Sequence, residues 1–123
     1  MKNLLRLIIL TICLISPSMT HAQNHDQQFF STLQDIPLMK GLTEIEEHAT
    51  SFDKPGGRII QAYAIIKNYN EEDVMTYYNA TLPQFGWGKS KQGHYYRNGE
   101  ILKLSFEKNN NTHILKIMIS PSL

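Results

Sequence analysis

The residues best suited to chemistry do not assemble into a familiar constellation. Beyond residue 22 the histidines are His25, His48, His94 and His113, and no cysteine accompanies them. No two stand at the i, i+4 spacing by which a helix offers a pair to zinc, and no H-E-x-x-H occurs. Glu46, Glu47 and His48 are neighbours, but successive strand residues point to opposite faces. The serines lack the G-x-S-x-G elbow that exposes a nucleophile. Glu71 and Glu72 are accounted for by a helix start, whose dipole favours negative charge. Pro55-Gly56-Gly57-Arg58 joins two glycines to a base, yet it leads into a strand and not into the helix a phosphate loop needs. No catalytic residue, metal ligand or cofactor is assigned, and the balance weighs against an enzyme.

Two candidate binding groups remain. Asp53 and Arg58 flank the glycine turn; they either pair across a hairpin and pin its register, or leave Arg58 and nearby N–H groups to receive an anion. The second group is aromatic: Tyr63, Tyr69, Tyr77, Tyr78, Phe85, Trp87, Tyr95 and Tyr96. They either line a groove for a sugar polymer or peptide, or wedge a helix against a sheet. Tyr95 and Tyr96 are adjacent in a strand, so one of them should face solvent. The candidate ligand-binding residues are therefore Arg58, Asp53, Trp87, Tyr95 and Tyr96. The sequons Asn79-Ala80-Thr81 and Asn110-Asn111-Thr112 read as chance matches.

These residues sit in a chain of 123 residues, enough for one core and too short for two. With 12 Lys and Arg against 11 Asp and Glu, the chain is not a basic nucleic-acid binder. Its start reads as an address. Lys2 and Arg6 precede an apolar run from Leu7 to Ile15, and Thr20-His21-Ala22 offers small residues to a signal peptidase. That run is too short to span a bilayer. Cleavage between Ala22 and Gln23 removes Cys13 and leaves a mature chain without cysteine. The expected location is the periplasm or the medium, with no stable membrane insertion after cleavage. An uncleaved signal anchoring the chain in the inner membrane is the alternative.

Residues 23–34 read as a flexible leader and 35–123 as a single domain. Charge divides unevenly within it: nine acids against four bases from Gln23 to Ala80, then six bases against two acids from Thr81 to Leu123. A basic face for an anionic partner is one reading of this split; a solvated sheet face carrying Lys103 and Lys116 is the other.

The spacing predicts a strand over residues 43–52, the turn at Pro55-Gly56-Gly57, and a second strand over 58–67 with Ile60, Ala62, Ala64 and Ile66 on one face. Asn70 caps a helix whose Val74, Tyr77, Tyr78 and Leu82 share a face. Pro83 and Gly86 end it. Strands then follow near residues 87–92 and 95–97. Asn98-Gly99 signals a type I′ hairpin turn, and strands over 100–108 and 112–120 complete the chain. The expected fold is α+β: an antiparallel sheet of about five strands with one amphipathic helix on one face, in β-β-α-β-β-β order. The last strand is expected at an open edge, so monomer and homodimer both stay open.

The runs DIPLMKGL, FDKPGGRI and YYNATLPQFGW, with the stretch Tyr95–Leu102, resemble an uncharacterised family of small exported alphaproteobacterial proteins. The resemblance implies placement in the cell envelope and a small single domain; it implies no activity. The expected function is a non-catalytic binding or scaffolding domain whose partner is an envelope protein or polymer. The alternatives are a small hydrolase or ligand-processing enzyme, whose site assembles in space near Arg58, His94 or Asp53, and a membrane-anchored accessory subunit.

Overall fold

The computed structural model describes residues 26–123. The expected signal segment, with the cleavage point expected between Ala22 and Gln23, lies outside the described residues. The strands are β1 (Gln28–Phe29), β2 (Pro37–Leu38), β3 (Leu42–Glu44), β4 (Thr50–Lys54) and β5 (Gly57–Ile66). Helix α1 (Glu71–Thr81) follows, and then β6 (Gly88–Lys89), β7 (Tyr95–Arg97), β8 (Glu100–Asn109) and β9 (Thr112–Pro121). β1 and β2 form a separate antiparallel ribbon. The other seven strands make one antiparallel sheet in the order β3-β5-β9-β8-β7-β6, with β4 also paired to β5. The class is α+β, as expected, with more strands than the sequence suggested.

The long strands follow from their alternation. Ile60, Ala62, Ala64 and Ile66 of β5 are buried, as are Leu115, Ile117 and Ile119 of β9. The intervening residues occupy the opposite face. Two tight turns set the register of β7, β8 and β9. Asn98 (φ 47°) and Gly99 (φ 78°) join β7 to β8, and Asn110 (φ 44°) and Asn111 (φ 70°) join β8 to β9. Positive φ at both central positions is the type I′ requirement, which asparagine and glycine meet at least cost.

Helix α1 begins with a reciprocal cap. The Asp73 N–H donates to Asn70 Oδ1 at 2.8 Å and the Asn70 N–H to Asp73 Oδ2 at 2.9 Å. Val74, Tyr78 and Leu82 enter the core. At Pro83 the chain tightens into a 3-10 turn over Leu82–Phe85 and stops at Gly86 (φ 87°). The Tyr78 hydroxyl donates to the Pro37 carbonyl at 2.9 Å, tying the helix to β2.

Four expectations need correction. The leader is not loose from residue 28 onward: β1 pairs with β2, and Phe30 and Leu33 are as buried as any core residue. The strand expected over residues 43–52 is split into β3 and β4 by a 3-10 turn at Glu46–His48. There Ile45 is buried, and its N–H reaches the Tyr63 carbonyl at 2.8 Å. The strand expected over residues 87–92 shrinks to Gly88–Lys89, because Ser90 turns the chain toward His94. Finally, β9 is not an edge: it lies between β5 and β8.

Candidate functional site

Arg58, at the start of β5, is where the sequence placed a hairpin pair with Asp53. The two residues are indeed level in the β4–β5 register. The Arg58 guanidinium nevertheless turns to Glu100, donating from Nε to Oε2 at 2.7 Å and from Nη2 to Oε1 at 3.1 Å. This two-pronged arrangement is the strongest geometry for such a pair. Arg58 Nη2 also lies 3.6 Å from Asp35 Oδ2. Asp35 in turn is held by Arg97, whose Nη1 donates to the Phe85 carbonyl at 3.0 Å. The Arg97 guanidinium lies over the Trp87 ring, 4.2 Å from its centroid.

Asp35, Arg58, Arg97 and Glu100 thus form a neutral run of ion pairs, Glu100–Arg58–Asp35–Arg97, two cations against two anions, in which every side chain is at most 38% exposed. It joins the segment before β2 to the starts of β5 and β8 and the end of β7. Burial pushes the Asp35 carboxyl up, but the hydrogen bond and charge of Arg97, helped by Arg58, hold it below its ordinary value. The hydrogen bond that Arg58 donates to Glu100 raises the Arg58 pKa against the opposing effect of burial. Only Arg97 and Glu100, flanking Asn98-Gly99, signal a pair locally; Asp35 is 62 residues from Arg97 and carries no such signal. Charges that satisfy one another in this way position elements and leave little to offer an anionic ligand.

The aromatic candidates separate. Trp87 and Tyr95 are core residues, at 1% and 0% exposure, so neither lines a groove. The Trp87 indole N–H is buried without a partner among the described residues. The Tyr95 hydroxyl bonds to Asn79 Oδ1, which also accepts from Lys89 Nζ at 2.8 Å, and burial raises the Tyr95 pKa. Tyr96 is the member of its pair that faces out, at 38%. Among the described residues, no side-chain hydrogen bond or ion pair joins any two of Asp53, Arg58 and His94. A cleft of about 320 Å³ opens between Gln27, Leu38, Lys40 and Tyr77, and none of the five candidate residues lines it. Among the described residues no three of His, Cys, Asp and Glu group to hold a metal ion, and no helix is long and apolar enough to cross a membrane.

The −5 and +4 segments do not form two faces. β9 of the second is flanked by β5 of the first, and the Arg58–Glu100 and Arg97–Asp35 bridges cross between them.

One surface stands out that the candidate list touched only at Tyr96. The helix packs on one face of the sheet; on the other no helix packs, and the 3-10 turn at Glu46–His48 lies beside Tyr63, where Ile45 and Ile114 are buried. Phe52 is level with Ile59, Ser120 with Ile101, and Ile101 with Tyr96. Because Ile60 pairs with Ile119, Ile59 also lies level with Ser120. The result is a row, Phe52–Ile59–Ser120–Ile101–Tyr96, across five strands, roughly 19 Å at the usual strand spacing. Phe52 is 60% exposed at one end and Tyr96 38% at the other. A parallel row holds Thr50, Gln61, Met118 and Lys103.

No family model, curated protein or solved structure matches the chain.

Proposed function

We propose that the chain is an exported, non-catalytic binding or scaffolding domain of the bacterial cell envelope, and that it binds through the helix-free face of its sheet. The observation that carries this reading is the exposed row from Phe52 to Tyr96. Phe52, Ile59, Ile101 and Tyr96, interrupted by Ser120 and flanked by polar groups, gather apolar surface of the kind that marks interaction sites. Flat aromatic and aliphatic groups suit the face of a sugar ring or an extended peptide, and Gln61 and Lys103 in the adjacent row supply polar contacts at its margin.

Two further features support the reading. The opening residues carry the pattern of a secretory signal, and the runs at Asp35–Leu42, Phe52–Ile59 and Tyr77–Trp87 resemble exported alphaproteobacterial proteins. The charged groups nearest to forming a site are consumed by one another in the Asp35–Arg58–Arg97–Glu100 network, which favours binding over catalysis.

The test is co-sedimentation of the purified chain with isolated peptidoglycan sacculi and, separately, with envelope membrane vesicles. Retention in either pellet is expected, and absence from both contradicts the proposal. Export has its own readout: the mass of the chain recovered from the periplasm should begin at Gln23, whereas an intact Met1 terminus contradicts cleavage.

A further inference from the structure

We propose that β4 is a self-association edge: two copies of the chain pair their Thr50–Lys54 strands antiparallel, Phe52 against Phe52, so that two sheets continue as one. The inference does not depend on the envelope-binding reading; it rests on the free side of β4.

Two free sides of the sheet are long enough to template another strand: β4, and the outer side of β8 beyond Leu102, where Phe106 is packed against the core and gives a second copy no exposed ring to cover. β6 has two residues and β3 has three, whereas β4 has five. One side of β4 pairs with β5, and no strand among the described residues lies on the other. Ser51, Phe52, Asp53 and Lys54 are all exposed. An exposed strand edge offers unpaired N–H and C=O groups to any matching chain.

Which groups are free follows from the hairpin. The two-residue turn at Pro55-Gly56 makes Lys54 and Gly57 the closing pair. In an antiparallel ladder bonding alternates, so Thr50, Phe52 and Lys54 direct their backbone groups to β5 while Ser51 and Asp53 direct theirs outward.

The choice of a second copy as occupant comes from the register. Opposed residues share a face, so a symmetric pairing must centre on Ser51, Phe52 or Asp53. Centring on Asp53 sets carboxylate against carboxylate, which is destabilising. Centring on Ser51 leaves Asp53 opposite Ala49, beyond the end of the strand. Centring on Phe52 sets Ser51 against Asp53 of the other copy at both ends, and each such pair exchanges two backbone bonds from the outward groups. It also brings the two Phe52 rings together at the close, non-hydrogen-bonded position, where aromatic pairs stabilise a sheet. Lys54 then opposes Thr50 and keeps its ammonium in water. The strand is self-complementary in one register, and that register covers Phe52, the most exposed Phe, Tyr or Trp ring among the described residues.

The experiment is sedimentation velocity of the purified chain from about 1 μM to 1 mM, the range in which a contact this small is read. A reversible rise from monomer to dimer mass is expected. Asp53→Pro removes an outward N–H and no bond to β5, a replacement that edge strands tolerate. It should keep the thermal transition and stay monomeric at every concentration. In a Cys13→Ser background, Phe52→Cys should give a disulfide-linked dimer on mild oxidation, because opposed Cβ atoms at that position lie about 4.5–5.5 Å apart. Lys54→Cys should not. Monomer throughout the range overturns the proposal, as does a dimer that survives Asp53→Pro, equal cross-linking at both positions, or a monomer whose β4 edge takes up only an extended peptide of another protein. Should Asp53→Pro fail to fold, the two cysteine variants decide alone.

Discussion

Arg97 shows how a side chain with an ordinary local setting becomes a junction. It bonds Asp35 and the Phe85 carbonyl and covers the Trp87 ring, so one guanidinium fastens the N-terminal segment, the end of the helical region and β7. Asp35 is the member of this network whose titration is readable. Its folded pKa lies below the unfolded one, so its contribution is complete above the unfolded value and is lost as pH falls through the folded value. Asp35→Asn should therefore be less stable than the parent at neutral pH and lose stability less steeply below about pH 4, as measured by urea unfolding at each pH. Tyr78→Phe removes the donor to the Pro37 carbonyl within the core; a cost of about 1–3 kcal/mol is expected in chemical denaturation. Residue roles were legible where the signal is local, as with Asn70 at the helix start. They were illegible where a partner arrives from elsewhere in the fold: Arg58 faces Asp53 in register, yet it bonds Glu100, 42 residues on.

Elements were legible in proportion to the strength of their local signals. The cap of α1, the alternation in β5 and β9, and the turn at Asn98-Gly99 all act within a few residues and stand as read. Asn70→Ala should lower stability by about 1 kcal/mol, read as a lower urea midpoint with an unchanged slope. Asn111→Val should cost about 1–2 kcal/mol, because a β-branched residue is poorly suited to φ 70°. If Asn111→Val leaves stability unchanged, that turn does not set the β8–β9 register. The elements that escaped the sequence reading are those shaped by tertiary burial. Phe29, Phe30 and Leu33 are sparse in a polar stretch, too few to show a period, yet Phe30 and Leu33 seat that stretch in the core. The break between β3 and β4 buries Ile45 on the Tyr63 face of the sheet at the expense of strand continuity, a trade that strand propensity does not report.

At the scale of the molecule, the sheet has one face dedicated to its helix and one that no helix covers, screened only near Tyr63 by the turn at Glu46–His48, and the proposed function rests on the open part of the second. Composition gave no sign of it, since half-exposed Ile59 and Ile101 are unremarkable singly and matter only when the register aligns them with Phe52 and Tyr96. The division of charge along the chain, which looked like a spatial feature, is dispersed by the interleaving of β5, β9 and β8. The most direct measurement compares the parent with an Ile101→Ser/Tyr96→Ser double variant in co-sedimentation with sacculi and envelope vesicles. Both substitutions lie on the open face, on β7 and β8 and away from the β4 edge, so self-association is left intact. The account predicts that the parent pellets with one of the two preparations while the double variant, folded by circular dichroism, stays in the supernatant. Equal retention of parent and variant would contradict the claim that the open sheet face is the binding surface.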